Sequence, residues 1–166
     1  GGLGEAGIGA DAAMVSEAFS DAVQFCAEPV ILRGKGGGEA ALVLPSPLRD
    51  GTVVPATIRR PVGFGGVAPG VVFIHGTGTD SHTNFEREAA ALTSAGIVTI
   101  VPDKRTTDYT TTHRDYPALA NDYEDVFEDL LARPGVNPRH SGIYAVSEGC
   151  FIAPIVAARN NNVRFV

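Results

Sequence analysis

Apolar and polar positions follow two distinct patterns along this chain. From residue 71 onward, short and wholly apolar runs alternate with longer segments in which apolar residues recur every three or four positions. The first pattern is typical of strands buried on both faces of a parallel sheet, and the second of amphipathic helices. The predicted strands are residues 71–74, 97–101, 143–146 and 163–166, and the predicted helices are residues 84–95, 118–133 and 148–159.

The first part of the chain is patterned differently. From Asp11 to Pro29, apolar positions recur at helical spacing, so residues 1–29 are expected to form an amino-terminal extension with a helix. Short β-type runs separated by glycine and proline then indicate antiparallel hairpins. These runs are residues 30–33, 40–44 and 52–60.

The two patterns together predict an α/β fold for residues 30–166. Strands that alternate with helices form a parallel sheet, because each parallel connection must cross over the sheet. The earlier hairpin strands would extend this sheet as antiparallel strands at its amino-terminal edge. We expect a mostly parallel sheet with helices on both faces.

Composition and charge favour a globular domain and argue against a nucleic-acid-binding surface or a membrane span. The 166 residues carry a net charge of −6, with 44% hydrophobic and 19% charged residues, as expected for a globular domain with a core of its own. The acidic balance argues against a nucleic-acid surface, because such a surface needs clustered cations to neutralise phosphates. No apolar run reaches the roughly 18 residues that a membrane span requires.

Two cysteines, Cys26 and Cys150, are too few for a disulfide framework. One bridge between them is possible, but we expect two free and buried thiols. The chain starts with Gly1 instead of methionine. This start favours a processed or secreted form, although the sequence leaves the compartment open.

A single serine, Ser147, stands between an apolar run and a predicted helix. A nucleophile in such a turn projects above the carboxyl edge of the sheet, and the helix N-terminus beneath it favours negative charge. The turn requires small residues two positions before and two after the serine. Here they are Ala145 and Gly149, a mild departure from the G-x-S-x-G pattern of a nucleophile elbow. We therefore predict that Ser147 is a nucleophile, with service as a mere helix N-cap as the simpler alternative.

A glycine-rich turn follows the first predicted strand of the parallel part, in the order His75, Gly76, Thr77, Gly78. Such a turn can point backbone N–H groups into a cleft, where they stabilise the oxyanion of an acyl-transfer reaction. We expect Thr77 to supply one donor and Glu148, the residue after the nucleophile, to supply the other. His75 is expected to order the turn by hydrogen bonding.

In their order and spacing, these pieces resemble the α/β-hydrolase superfamily over roughly residues 30–166. FIHGTG is similar to the family's His-Gly oxyanion turn, and GIVTIVPDKR to the strand and loop that follow it in esterase and peptidase-like members. RPGVNPRHSGIYAVSEGC is similar to the segment before and through the elbow. The resemblance implies a serine hydrolase with a Ser–His–acid triad, often a carboxylesterase, acting on small-molecule esters or related acyl compounds.

The acid and the histidine that would activate Ser147 are missing from their expected place. The family's order is serine, acid, histidine, but residues 148–166 contain no histidine and no acid except Glu148, which belongs to the elbow. The chain also ends inside a predicted strand, which leaves the sheet incomplete and an apolar edge uncovered. We therefore expect a second polypeptide or a carboxyl-terminal fragment to complete the fold and supply both residues.

Two further interpretations remain open. The first is a catalytically inactive binding or structural protein with the same fold. The second is a rearranged triad that uses His82 or His113, although both are expected to be solvated loop residues.

The remaining polar residues predict no other chemistry. Asp103 is expected to pair with Arg105 and order its loop, and the acidic positions of residues 121–129 to form a solvated helix face. No cluster of His, Cys and Asp has metal-ligand spacing. We expect no metal and no organic cofactor.

Overall fold

A computed structural model gives the fold of this chain. It describes residues 30–34, 37–63, 65–78, 80–107, 109–110 and 112–166, so the predicted amino-terminal helix and Cys26 lie outside the described residues. The strands are β1 (Val30–Gly34), β2 (Gly37–Pro47), β3 (Val53–Pro61), β4 (Ala68–Ile74), β5 (Val98–Pro102) and β6 (Val136–Ala145). The helices are α1 (Glu86–Ser94), α2 (Tyr116–Ala132) and α3 (Gly149–Arg159).

All of these strands belong to one mixed sheet with the order β1-β2-β3-β5-β4-β6. The first three strands form antiparallel hairpins, and β3 pairs antiparallel with β5. β4 pairs parallel with β5 on one side and with β6 on the other. The described sheet is therefore mixed, with the predicted antiparallel strands at its amino-terminal edge and with three antiparallel and two parallel strand pairs. The carboxyl ends of β4, β5 and β6 meet at one edge.

Helices cover both faces of the sheet, as predicted. Val72 and Ile74 of β4 belong to the cluster that includes α2 and α3, whereas Val71 and Phe73 pack on the opposite face with Ala89 of α1. All four β4 side chains are buried. Because both faces of this strand are covered, each of these side chains is buried, which is why their sequence is an unbroken apolar run.

Local signals set the ends of the helices. Gly96 takes a φ of 91° directly after α1, and its N–H donates to the Thr93 carbonyl at 2.9 Å, which closes the helix. Asp115 precedes α2 and accepts a hydrogen bond from the Ala118 N–H at 3.0 Å. Pro117 in the first turn of α2 loses nothing there, because the first helical N–H groups have no partner within the helix.

Two strands begin earlier than the sequence predicts. β4 starts at Ala68 and β6 at Val136, whereas the predicted strands start at residues 71 and 143. These residues pair only with each other, Ala68 with Val136 and Pro69 with Asn137. Pro138 of β6 is tolerated because it has no assigned partner in β4 and β6 has no assigned strand on its other side.

The predicted strand at residues 163–166 is not formed as a regular strand. The segment runs beside β6, where the Arg164 N–H donates to the Ser141 carbonyl at 2.9 Å and the Ile143 N–H donates to the Phe165 carbonyl at 3.0 Å. In a parallel ladder the same residue makes both bonds, whereas here the donor and the acceptor are neighbours. The apolar pattern of residues 163–166 predicts a regular strand, but the irregular register prevents a regular ladder from forming.

The acidic positions of α2 do not form a solvated face, so this prediction was wrong. The guanidinium of Arg49 lies 2.9 Å from Glu124 and 2.7 Å from Asp125. Ser46 donates to Asp129 at 2.9 Å. These partners come from β2 and the turn after it, which are too far away in sequence for a local pattern to predict the contacts. The carboxylates anchor α2 to the antiparallel part of the sheet.

A buried serine bridges an irregularity between β4 and β6. Pro69 faces Asn137, but Val71 faces Gly142, so Gly70 lies opposite residues 138–141. The Gly70 N–H donates to the Ser141 hydroxyl at 2.9 Å, and that hydroxyl donates to the Asn137 carbonyl at 2.7 Å. Ser141 is fully buried, so its hydroxyl replaces backbone hydrogen bonds that the bulge removes.

Replacing this serine should destabilise the fold. In Ser141→Ala, the buried Gly70 N–H and Asn137 carbonyl lose their partner, and leaving such groups unsatisfied costs about 1–3 kcal/mol. Denaturant unfolding measures the difference. The control is Ser94→Ala at the exposed end of α1, where a change within about 0.5 kcal/mol is expected. Equal stability of the two variants would contradict the bridging role.

Candidate active site

Ser147 occupies the turn between β6 and α3 in a strained backbone conformation. Its φ is 53°, in the left-handed region that residues with a side chain rarely adopt. The Val146 N–H donates to the Ile74 carbonyl at 3.3 Å, which ties the end of β6 to the end of β4. The Ser147 side chain is exposed. The turn thus presents a serine hydroxyl at the carboxyl edge of the sheet.

Gly149, two positions after the serine, lacks a side chain for a steric reason. A Cβ atom at Gly149 would lie 2.7 Å from the Ile74 carbonyl oxygen and 2.9 Å from that of His75. Real Cβ atoms essentially never approach backbone this closely, so α3 packs against the end of β4 only because position 149 is glycine. Ala145 is half-buried and packs against the main core.

The glycine-rich turn lies beside Ser147. A Cβ atom at Gly76 would lie 3.4 Å from the Ser147 Cβ and 3.9 Å from its Oγ. Gly78 has a φ of 126°, which strains any residue with a side chain. The N–H groups of Thr77 and Glu148 donate to no acceptor among the residues that the structure describes. The structure therefore brings the two sequence motifs together and leaves both candidate donors unoccupied.

His75 is fully buried and joins this turn to the end of β5. Its Nε2 lies 2.6 Å from the Pro102 carbonyl oxygen, and since a carbonyl only accepts, Nε2 carries the proton. The ring stacks on Phe85 with a centroid distance of 5.2 Å. Burial lowers the pKa of His75, which keeps the ring neutral. The histidine is thus held as a structural hydrogen-bond donor.

Asp103 also ties the two loops together, but with a different partner from the one predicted. It accepts hydrogen bonds from the His82 N–H and ring Nδ1, both at 2.6 Å. Arg105 instead pairs with Asp50 and Asp122. The predicted Asp103–Arg105 pair was wrong because both carboxylates that attract Arg105 lie far from it in sequence.

Neither histidine of the proposed rearranged triad hydrogen-bonds Ser147 within the described part of the chain. The His82 ring is engaged by Asp103. The His113 N–H donates to the Thr110 hydroxyl at 2.8 Å. The described contacts therefore place neither histidine against Ser147, and the rearranged triad stays an untested prediction.

Lys104, to which the sequence motifs gave no role, is buried beside the site. The Lys104 Nζ donates to the Gly76 carbonyl and to Glu148 Oε2, both at 2.6 Å. The two side chains are 0% and 1% exposed. The Tyr109 hydroxyl donates to the same Glu148 oxygen at 2.7 Å, and Arg114 lies 3.4 Å from the other oxygen. The Glu148 side chain is thus structural, whereas only its backbone N–H was predicted to have a role.

One sequence signal could have revealed Lys104. It is one of only two lysines in the chain, and it comes three residues after the end of a predicted buried strand. A charged residue at the carboxyl edge of a parallel sheet lies close to the loops that follow the neighbouring strands.

Cys150 is free and exposed, so the predicted burial of its thiol was wrong. Among the described residues, no three His, Cys, Asp or Glu side chains are grouped as a metal site requires. None of the described helices is long and apolar enough to cross a membrane.

A side chain at position 149 should disrupt the turn. Gly149→Ala forces a Cβ atom against two backbone carbonyls that cannot move independently of β4, and such overpacking costs about 1–3 kcal/mol. Denaturant unfolding measures the loss. Gly65→Ala is the control, because a Cβ atom there meets nothing within 4 Å. A Gly149→Ala variant as stable as Gly65→Ala would contradict the steric argument.

Acidification should weaken the fold through His75. Burial lowers its pKa in the folded state, while Lys104 lowers it and the Pro102 carbonyl, Asp80 and Asp103 raise it to lesser extents. The unfolded chain therefore binds the proton first, so this stability is present above about pH 6.5 and is lost as pH falls towards the folded-state pKa. His75→Gln keeps a donor but cannot become charged. Its free energy of unfolding should depend less on pH between about 7 and 5, and an unchanged dependence would contradict the assignment.

No family model and no curated protein matches this chain. Among solved structures, it is similar to the α/β hydrolase GrgF from a Penicillium species, with 16% identity, a TM-score of 0.61, and coverage of 74% of this chain and 43% of that one.

Two esterases give comparable matches. A brefeldin A esterase, a bacterial homologue of human hormone-sensitive lipase, shares 18% identity with a TM-score of 0.61, over 93% of this chain and 45% of its own. An acetyl xylan esterase from Paenibacillus shares 16% identity with a TM-score of 0.62, over 91% and 55%. The match thus spans about half of each neighbour. The chain therefore has the α/β-hydrolase fold, of which it comprises a part.

Proposed function

We propose that this chain is the nucleophile-bearing part of a serine hydrolase that cleaves ester or related acyl bonds in small molecules. The observation that carries the proposal is the exposed, left-handed Ser147 at the junction of β6 and α3, with two unbonded N–H groups in the adjoining segments. Strain of this kind persists where the surrounding structure enforces it, and it is concentrated at functional sites.

The proposed reaction begins when a base removes the proton of Ser147 Oγ. The oxygen attacks the substrate carbonyl carbon, and the negative charge that develops on the carbonyl oxygen is stabilised by the Thr77 and Glu148 N–H groups. The base then returns its proton to the departing alcohol. Water hydrolyses the acyl-enzyme by the same steps in reverse order. Each oxyanion donor in such a site contributes roughly 3–4 kcal/mol to transition-state stabilisation.

We propose that the acid and the histidine come from sequence outside this chain, on a second polypeptide or a carboxyl-terminal fragment. Large apolar side chains lie exposed beside the site and along the segment next to β6: Phe151 is 65% exposed, Phe165 45% and Val166 64%. A segment that continued the sheet past β6 would cover this surface. The match to about half of each structural neighbour favours the same interpretation.

Ester substrates are favoured by the neighbours as well as by the site. Two of the proteins of similar fold are named for ester hydrolysis, one acting on brefeldin A and one on acetyl xylan. An exposed serine with amide donors is suited to the planar carbonyl of an ester, which becomes a tetrahedral oxyanion on attack.

A serine-directed fluorophosphonate tests the proposal on the full-length protein that contains this sequence. The wild type should be labelled at Ser147, and Ser147→Ala should lose both labelling and ester hydrolysis, because no other described residue of that turn carries a hydroxyl group. The control is Cys150→Ala, which removes the exposed thiol three positions away and should leave labelling unchanged. A wild type that remains unlabelled would instead favour an inactive binding protein with this fold.

A further inference from the structure

The buried ammonium of Lys104 contacts Glu148, one of the two proposed oxyanion donors, and the peptide group that carries the other donor. Its Nζ lies 2.6 Å from the Gly76 carbonyl oxygen, which belongs to the peptide group that carries the Thr77 N–H. It lies equally close to the carboxylate of Glu148, whose own N–H is the second candidate donor. One cation thus links the glycine-rich turn to the turn that holds Ser147.

The geometry of the peptide bond gives this contact a consequence. In a planar trans peptide the carbonyl and the N–H point in opposite directions. With the Gly76 carbonyl drawn towards the buried Lys104, the Thr77 N–H faces away from the ammonium. Thr77 is exposed and its N–H meets no acceptor among the described residues. The same hydrogen bond polarises the peptide group, which makes its N–H a stronger donor.

We propose that Lys104 is a positioning residue that fixes and polarises the Gly76–Thr77 peptide as an oxyanion donor; the inference rests on the proposed hydrolase function. Lys104 does not touch the substrate. The loop from Gly76 to Gly78 contains two glycines and would otherwise rotate freely at this peptide, because glycine adopts many backbone conformations. The cation removes that freedom in the folded protein.

The surroundings of Lys104 suit this role. The Lys104 backbone N–H donates to the Asp80 carbonyl at 3.0 Å, so the lysine is attached to the same loop at a second point. Nζ also lies 4.1 Å from the centroid of the Tyr109 ring, a cation–π distance. Glu148 balances the charge of the ammonium. The effect on an oxyanion therefore comes through the orientation of the peptide, and a bare positive charge is not required.

A simpler interpretation is that Lys104 only stabilises the fold through its ion pair with Glu148. The two interpretations differ in what they predict for reactivity. A purely structural pair affects the fraction of folded protein, whereas a positioned oxyanion donor affects the rate at which folded protein reacts. The Tyr109→Phe variant separates them, because it removes a hydrogen bond to Glu148 and leaves the contact between Lys104 and Gly76 intact.

The experiment measures the rate of Ser147 labelling by a fluorophosphonate and the kcat and KM for p-nitrophenyl acetate, in the full-length protein. Lys104→Met should lower the labelling rate and kcat by about 10- to 100-fold, approaching the loss seen when one oxyanion donor is removed. KM should change by less than about threefold, since the donor acts mainly in the transition state. Tyr109→Phe should stay within about threefold of the wild type in all three quantities.

A second variant distinguishes a slower reaction of folded protein from a loss of folded protein. Lys104→Met leaves the Glu148 carboxylate buried without its cation, which can unfold the protein. The double variant Lys104→Met, Glu148→Gln removes that charge, and it should still label as slowly as the single variant. Thermal unfolding of each variant establishes the folded fraction.

Each other outcome is decisive. If folded Lys104→Met labels as fast as Tyr109→Phe, the positioning role is wrong while the assignment of Ser147 stands. If the double variant recovers the wild-type rate, the loss came from the unpaired carboxylate and the positioning role is again wrong. If wild-type Ser147 does not react at all, the hydrolase proposal fails and the role of Lys104 fails with it.

Discussion

The buried ion pair between Lys104 and Glu148 holds together the carboxyl ends of three neighbouring strands. Lys104 follows β5, Glu148 follows β6, and Gly76, whose carbonyl accepts from the same ammonium, follows β4. Removing one partner from such a buried pair costs about 3–5 kcal/mol, because the remaining charge is left in an apolar environment. The folded state therefore requires the three loops after these strands to lie where the ion pair and its bond to Gly76 can form.

The strained turn at Ser147 depends on this arrangement. A residue with a side chain in the left-handed region costs on the order of 1–3 kcal/mol, and it persists only where other contacts enforce it. Here Glu148 is anchored on one side of the turn, Gly149 packs against the Ile74 carbonyl, and the Val146 N–H is bonded to β4. The helix that follows cannot shift to relieve the strain without breaking these contacts.

The loop between β4 and α1 is held by β5 through several bonds in a row. The Pro102 carbonyl accepts from His75, Asp103 accepts from His82, and Lys104 bonds to Gly76 and Asp80. A short polar segment after a buried strand thus serves as the support for a glycine-rich turn that has few contacts of its own. The glycine-rich turn is thus positioned by residues that touch no substrate in the proposed reaction.

The sequence by itself determined the sheet, the helices on both faces and the two motifs, because these depend on local regularities. A strand buried on both faces must be apolar at every position, and a sharp turn before a helix must have small neighbours. The tertiary structure alone decided the partners of the charged residues: Lys104 with Glu148, Asp103 with His82, and the carboxylates of α2 with Arg49. It also decided the irregular course of residues 163–166. The reason is that a charge interacts with whatever the fold brings within a few ångströms, and that neighbour lies 21 positions away for Asp103, 44 for Lys104 and 75 for Arg49.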